Sequence, residues 1–108
     1  MIMGVNRSKS VTAHGQPADY IITDRGTTFW AEVKSTQELI SFPLANISKA
    51  QWNGARQVVA AQGAYFFFIK KLATNTWYRV PASFFVEIHA EQIKSVKWSN
   101  LEDFKYVI

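Results

Sequence analysis

The order of apolar patterns along the 108-residue chain predicts an α/β domain: a mixed β-sheet of about four to five strands flanked by helices. Three observations predict it. Two β-rich runs, ADYIIT at 18–23 and TTFWAEVKS at 27–35, flank the turn chemistry of Asp24-Arg25-Gly26 and read as a hairpin. From Ser48 the segment SKAQWNGARQVVAAQ returns its apolar residues at helical spacing. AYFFFIKK, 64–71, is apolar almost without interruption, as suits a strand buried on both faces.

Each element follows in order. Residues 1–16 are polar and lack periodic apolar positions, so they read as a loop, a flexible arm or a segment exchanged in a dimer. The hairpin comes next, and 36–47, with Pro43, reads as a loop. Ser48 opens the helix as an N-cap, and Gly63 closes it at the usual C-terminal place. After the strand at 64–71, a turn at 73–75 leads to TWYRVP, 76–81, its antiparallel neighbour. A short helical piece starts near Pro81, and a further strand runs around 94–98. Ser99-Asn100-Leu101-Glu102 has the form of a capping box opening a last helix.

The totals narrow the function. A chain of this length is one domain that buries roughly two thirds of its unfolded surface. The absence of cysteine removes disulfides, thiolate metal sites and thiol nucleophiles, and nothing points to an oxidising compartment. No apolar run reaches the roughly 20 residues of a bilayer span, and MIMGVNRSKS lacks a signal-peptide core. A soluble, cytoplasmic protein without a membrane partner is expected. The net charge of +4 favours a polyanionic partner.

The chemistry concentrates on the hairpin. Strand side chains repeat every two residues, so Glu32 and Lys34 project from one face beside Trp30, opposite Ala31 and Val33. Asp19 precedes Glu32 by thirteen residues, a separation a hairpin can close to bring two carboxylates together. Paired oxygen ligands without cysteine suit a hard cation, Mg2+ with Mn2+ as substitute, better than zinc. An amine aimed at the same spot would orient a water nucleophile or offset charge growing on a phosphate. A Glu-x-Lys pair on a strand is otherwise a solvated ion pair worth under about 1 kcal/mol. His14 and His89 stand isolated, and Trp52, Trp77, Trp98 and the run Tyr65 to Phe68 read as core rather than as base-stacking platforms.

The order Pro17-Ala18-Asp19 followed by Ala31-Glu32-Val33-Lys34-Ser35 resembles the PD-(D/E)XK motif of the restriction-endonuclease-like nuclease superfamily, with Ala18 inserted into the Pro-Asp pair. Ser41-Phe42-Pro43-Leu44, then Ile47 and Gln51, then Gln62-Gly63-Ala64 and Phe66-Phe67-Phe68-Ile69 are similar to the RecU family of Holliday junction resolvases. The resemblance implies a restriction-endonuclease-like core and a metal-dependent endodeoxyribonuclease that acts on branched DNA, most naturally as a homodimer. It also implies that Asp19 and Glu32 bind the metal with the Val33 carbonyl as third ligand, that Lys34 is the catalytic lysine, and that Gln51 helps arrange the site. Gln51 equally completes a capping box with Ser48. Arg7, Lys9, Arg25, Lys49 and Arg56 are candidates for backbone phosphate contacts; Ser35 either joins them or simply ends its strand. The superfamily core usually carries a further acidic residue on a first helix, whereas residues 1–16 hold no Asp or Glu. The metal would then rest on Asp19 and Glu32, or a second subunit would complete the site. The same resemblance suggests a bacterial or phage-infected cell as the setting. The rivals are a virus-type replication-repair nuclease acting on other DNA structures, a non-catalytic nucleic-acid-binding module, and a protein-interaction domain.

Overall fold

The computed structural model describes residues 3–7, as backbone, and 16–107. Among them eight strands form: β1 (Met3–Arg7), β2 (Tyr20–Asp24), β3 (Thr27–Thr36), β4 (Ser41–Pro43), β5 (Tyr65–Lys71), β6 (Thr76–Pro81), β7 (Ser95–Lys97) and β8 (Lys105–Tyr106). Two α-helices, α1 (Lys49–Ala60) and α2 (Ala82–Ala90), join 3-10 turns at Leu44–Asn46, Leu72–Thr74 and Trp98–Phe104. The main sheet runs β1-β2-β3-β5-β6-β8, and β4 pairs with β7 apart from it. β3 and β5 are parallel, from Trp30–Tyr65 to Thr36–Lys71, and the other pairs of the main sheet are antiparallel. A parallel pair needs a crossover, which the segment carrying α1 supplies. The expected mixed α/β sheet is therefore present, widened by the edge strands β1 and β8.

The β2–β3 hairpin closes through Arg25 at φ 52° and Gly26 at φ 84°, both left-handed, as a two-residue turn matching strand twist requires. β5 is buried on both faces. Phe67 and Ile69 join the larger core with Trp52, Tyr78, Phe85 and Leu101, whereas Phe68 joins Ile22, Phe29 and Ala31 on the other face. Both helices contribute to the larger core.

Several expectations need correction. The segment 1–16 is not all loop: Met3–Arg7 adds an edge strand antiparallel to β2, because an unpaired strand edge satisfies its backbone groups by taking a partner. Residues 8–15, with Lys9 and His14, lie outside the described residues. The loop at 36–47 contains β4 and a 3-10 turn, and the strand near 94–98 pairs with β4 rather than with the main sheet. Residues 98–104 form a 3-10 helix with no side-chain cap, so the Ser99–Glu102 box is not made. At the end of α1 the left-handed residue is Gln62, φ 62°, while the Gly63 N–H closes on the Val58 carbonyl at 2.8 Å. Gly63 serves space instead, since a Cβ there would stand 2.9 Å from Val58 Cγ1.

Candidate active site

Hairpin register places the carboxylates. The β2–β3 ladder ends with Tyr20 opposite Ala31, so Asp19 comes opposite Glu32 one step further on. The Asp19 N–H donates to Glu32 Oε1 at 3.1 Å. Glu32 is the one charged residue buried among the described residues, at 3% exposure, whereas Asp19 is exposed. Burial foremost, then the Asp19 charge, push the Glu32 carboxyl up to about 7, against the pull of the Asp19 N–H and the Lys34 charge. Lys34 follows on the same face of β3, half-buried.

Helix α1 reaches Glu32 through its first turn. Ser48 Oγ accepts from the Gln51 N–H at 3.2 Å, and Gln51 Oε1 accepts from the Ser48 N–H at 2.9 Å, which completes a capping box. The other end of the same amide, Gln51 Nε2, donates to Glu32 Oε2 at 3.2 Å. Gln51 thus completes the capping box and reaches Glu32 at the same time, because an amide carries an acceptor and two donors.

The Val33 carbonyl is placed by strand alternation. The Trp30 N–H donates to the Ala64 carbonyl on the β5 side, so the backbone groups of Trp30, Glu32 and Lys34 face β5 and those of Ala31 and Val33 face β2. β2 ends opposite Ala31, which leaves Val33 beyond its ladder, on Asp19's edge of β3.

Two positioning residues stand outside the predicted set. Gly54 in α1 packs on the backbone that leads into Asp19: a Cβ there would stand 2.8 Å from Pro17 Cα and closer still to the Pro17 carbonyl oxygen. Tyr65 Oη donates to that same carbonyl at 2.9 Å. Burial and the charges of Glu32 and Asp19 drive the Tyr65 phenol well above its ordinary range, so it stays a donor. A glycine inside a helical run was the available signal for the first, since it costs helix stability unless something must come close. The tyrosine gave no signal, because it reads as one more aromatic of a buried strand.

The predicted phosphate contacts do not all gather here. Arg25 sits at the hairpin tip, beyond the whole β2–β3 ladder from the carboxylates, and approaches Asp24 at 3.9 Å. Ser35 is exposed on the opposite face of β3 from Glu32 and Lys34. The Arg7 backbone pairs with Tyr20, next to Asp19. Lys49 and Arg56 lie exposed on α1. His89 is not isolated: its ring stacks on Trp52 at 3.9 Å, and Nδ1 is 2.8 Å from Arg56 Nη2. Trp52, Trp98, Tyr65, Phe67 and Phe68 are buried as core, while Trp77 and Phe66 are half-buried.

A mixed sheet whose hairpin brings two carboxylates together, with a lysine next on the same strand face, defines an α/β domain with a charged cluster beside its central strands. The comparison with known families makes that specific. The family model RecU, described as Recombination protein U, matches residues 5–108, and the chain belongs to that family. Membership implies nuclease activity of the Holliday junction resolvase kind, on DNA. No curated protein matches the chain. Among the described residues no helix is long and apolar enough to cross a membrane, and no three His, Cys, Asp or Glu side chains cluster as metal ligands.

Proposed function

We propose that the protein is a Mg2+-dependent endodeoxyribonuclease that resolves four-way DNA junctions as a homodimer. One observation carries this: the buried Glu32, faced by Asp19 across the hairpin, is held by Gln51 and followed on its own face by Lys34. The donors support a hard cation, since two carboxylates and the Val33 carbonyl are all oxygen, and Mg2+ keeps several waters and needs few protein ligands. Burial first and the Asp19 charge second raise the Glu32 carboxyl, and a divalent cation between the two carboxylates would favour the ionised form against both. Asp19, Glu32 and Val33 would hold it, with Mn2+ as substitute, and when bound it supplies polarisation of the scissile phosphate and acidification of water.

The chain's own residues do the rest. Gln51 and the Asp19 N–H fix both Glu32 oxygens, so the carboxylate cannot rotate away as charge builds on the phosphate. Lys34 steadies the attacking water and the developing anion. The water oxygen bonds to phosphorus, the P–O3′ bond breaks, and the departing oxygen takes a proton, leaving a 5′-phosphate and a 3′-hydroxyl. A four-way junction has two-fold symmetry and two strands to cut, which a symmetric pair of sites matches.

Labelled four-way junction, linear duplex and single strand, each incubated with Mg2+ and with EDTA, test this beside Glu32→Ala and Lys34→Ala. Paired symmetric nicks on the junction, abolished by EDTA and by both substitutions, are expected. Cutting of duplex or single strand alone would keep the site and overturn the junction assignment. DNA binding without cutting in Mg2+ or Mn2+ would overturn the enzyme.

A further inference from the structure

A groove of about 730 Å³ runs along α1 between that helix, the turn Leu44–Asn46 and the end of α2. Lys49, Trp52, Asn53 and Arg56 recur at helical spacing and form one wall, turned away from the Gly54 face that meets Pro17. Lys94 and His89 stand across it. No Asp or Glu lines the groove. The ion pairs among the described residues, Arg25–Asp24 and Lys105–Glu102, involve none of its cations.

The cationic centre is built rather than scattered. His89 lies flat on Trp52, 4° from parallel. Arg56 spans from the Asn53 Oδ1, at 3.4 Å, to His89 Nδ1, with its guanidinium carbon 5.7 Å from the Trp52 ring centre. Arginine has no acceptor, so His89 Nδ1 accepts and its proton sits on Nε2. Burial and the Arg56 charge, which lower the His89 pKa, favour that neutral form. The guanidinium is thus tethered while remaining exposed, with N–H donors to spare. Trp52 is 5% exposed beneath His89, which rules it out as a platform for a base.

We propose that this groove binds the sugar–phosphate backbone of the DNA strand leading away from the Asp19–Glu32 carboxylates, Lys49, Arg56 and Lys94 meeting successive phosphates while His89 positions Arg56. The inference rests on the reading of the site as a DNA nuclease. The first turn of α1 joins the two places, for Gln51 reaches Glu32 and Lys49 enters the groove. Lys49 to Arg56 spans about 10 Å of helix, far enough apart for the two cations to meet different phosphates of one strand. Contacts of this kind are indifferent to base sequence.

Anisotropy of labelled junction and duplex on the full chain in EDTA, between about 50 and 200 mM salt, tests it. Each lost phosphate contact reduces the slope of log K against log salt by about 0.9. Lys94→Gln and Arg56→Gln are each expected to do so. His89→Phe, which keeps a ring on Trp52 but no acceptor, is expected to weaken binding alone and to add nothing to Arg56→Gln. Unchanged slope in Lys94→Gln, a substitution at an exposed side chain, together with unchanged slope in Arg56→Gln, overturns the groove. So does a wild type that binds no DNA, or a mononucleotide that competes as well as a strand. Reduced slopes without metal-dependent cleavage would keep the groove and overturn the nuclease; cleavage with unmoved slopes would do the reverse.

Discussion

Gln51 holds Glu32 with one end of its amide and its own helix with the other: Nε2 donates to Glu32 Oε2 at 3.2 Å, while Oε1 accepts from the Ser48 N–H at 2.9 Å. Helix start and buried carboxylate are thus fastened together by one side chain. Ser48→Ala removes the hydroxyl cap and is expected to cost about 1 kcal/mol of stability with little loss of cleavage. Gln51→Ala is expected to cost as much or more, and to lower cleavage roughly 10–100-fold as an orienting partner does. Urea unfolding beside junction cleavage for the two variants separates capping from positioning.

Gly54 gives a prediction that opposes helix propensity. Alanine in an exposed helix interior is favoured over glycine by up to about 1 kcal/mol. Here its Cβ would meet the Pro17 backbone, whose carbonyl Tyr65 holds by a hydrogen bond. Gly54→Ala is therefore expected to destabilise by about 1–3 kcal/mol and to lower cleavage by shifting Asp19. Tyr65→Phe, leaving the Pro17 carbonyl without that donor, is expected to destabilise by roughly 1–3 kcal/mol. Thermal unfolding of both variants decides the matter, and a more stable Gly54→Ala would contradict the packing.

The buried carboxyl makes the metal-free protein sensitive to pH. The folded-state pKa of Glu32 is raised from 4.5 to about 7, so the proton is bound more tightly in the folded chain than in the unfolded. This contribution to stability is complete below pH 4.5 and is lost as pH rises through about 7. In EDTA, the melting temperature of wild type relative to Glu32→Gln should fall between pH 5 and 8. Mg2+ should restore wild type at pH 8 and leave Glu32→Gln unmoved, by binding the folded state. Equal melting curves at both pH values would refute the buried, charge-crowded carboxyl.

Under the proposed function Lys34 acts through its charge. Its substitution by alanine is expected to reduce cleavage by about 10²–10³, the usual cost of one positioned electrostatic donor. Since its charge lowers the Glu32 carboxyl, Lys34→Ala should also move the pH transition of the metal-free protein upward. A melting series across pH on this variant reads the second effect without any substrate.

The pairing of Asp19 with Glu32 is legible in the amino-acid order alone, because a period of two and a short turn at Arg25-Gly26 determine which residues of a hairpin stand opposite one another. The helix from Ser48 and the doubly buried strand at 65–71 are legible for the same reason: local periodicity records which side of an element meets the core. The same arithmetic sets Ser35 on the far face, and the turn itself sets Arg25 at the hairpin tip. The tertiary structure alone decided what comes from distant segments. It carried Gln51 nineteen residues along the chain to Glu32, set Gly54 against Pro17, laid His89 on Trp52 and added Met3–Arg7 to the sheet edge. It also decided that Glu32 is buried while Asp19 is not. Burial and long-range contact depend on how whole elements pack, and side-chain periodicity within one element carries no information about the neighbour that covers it.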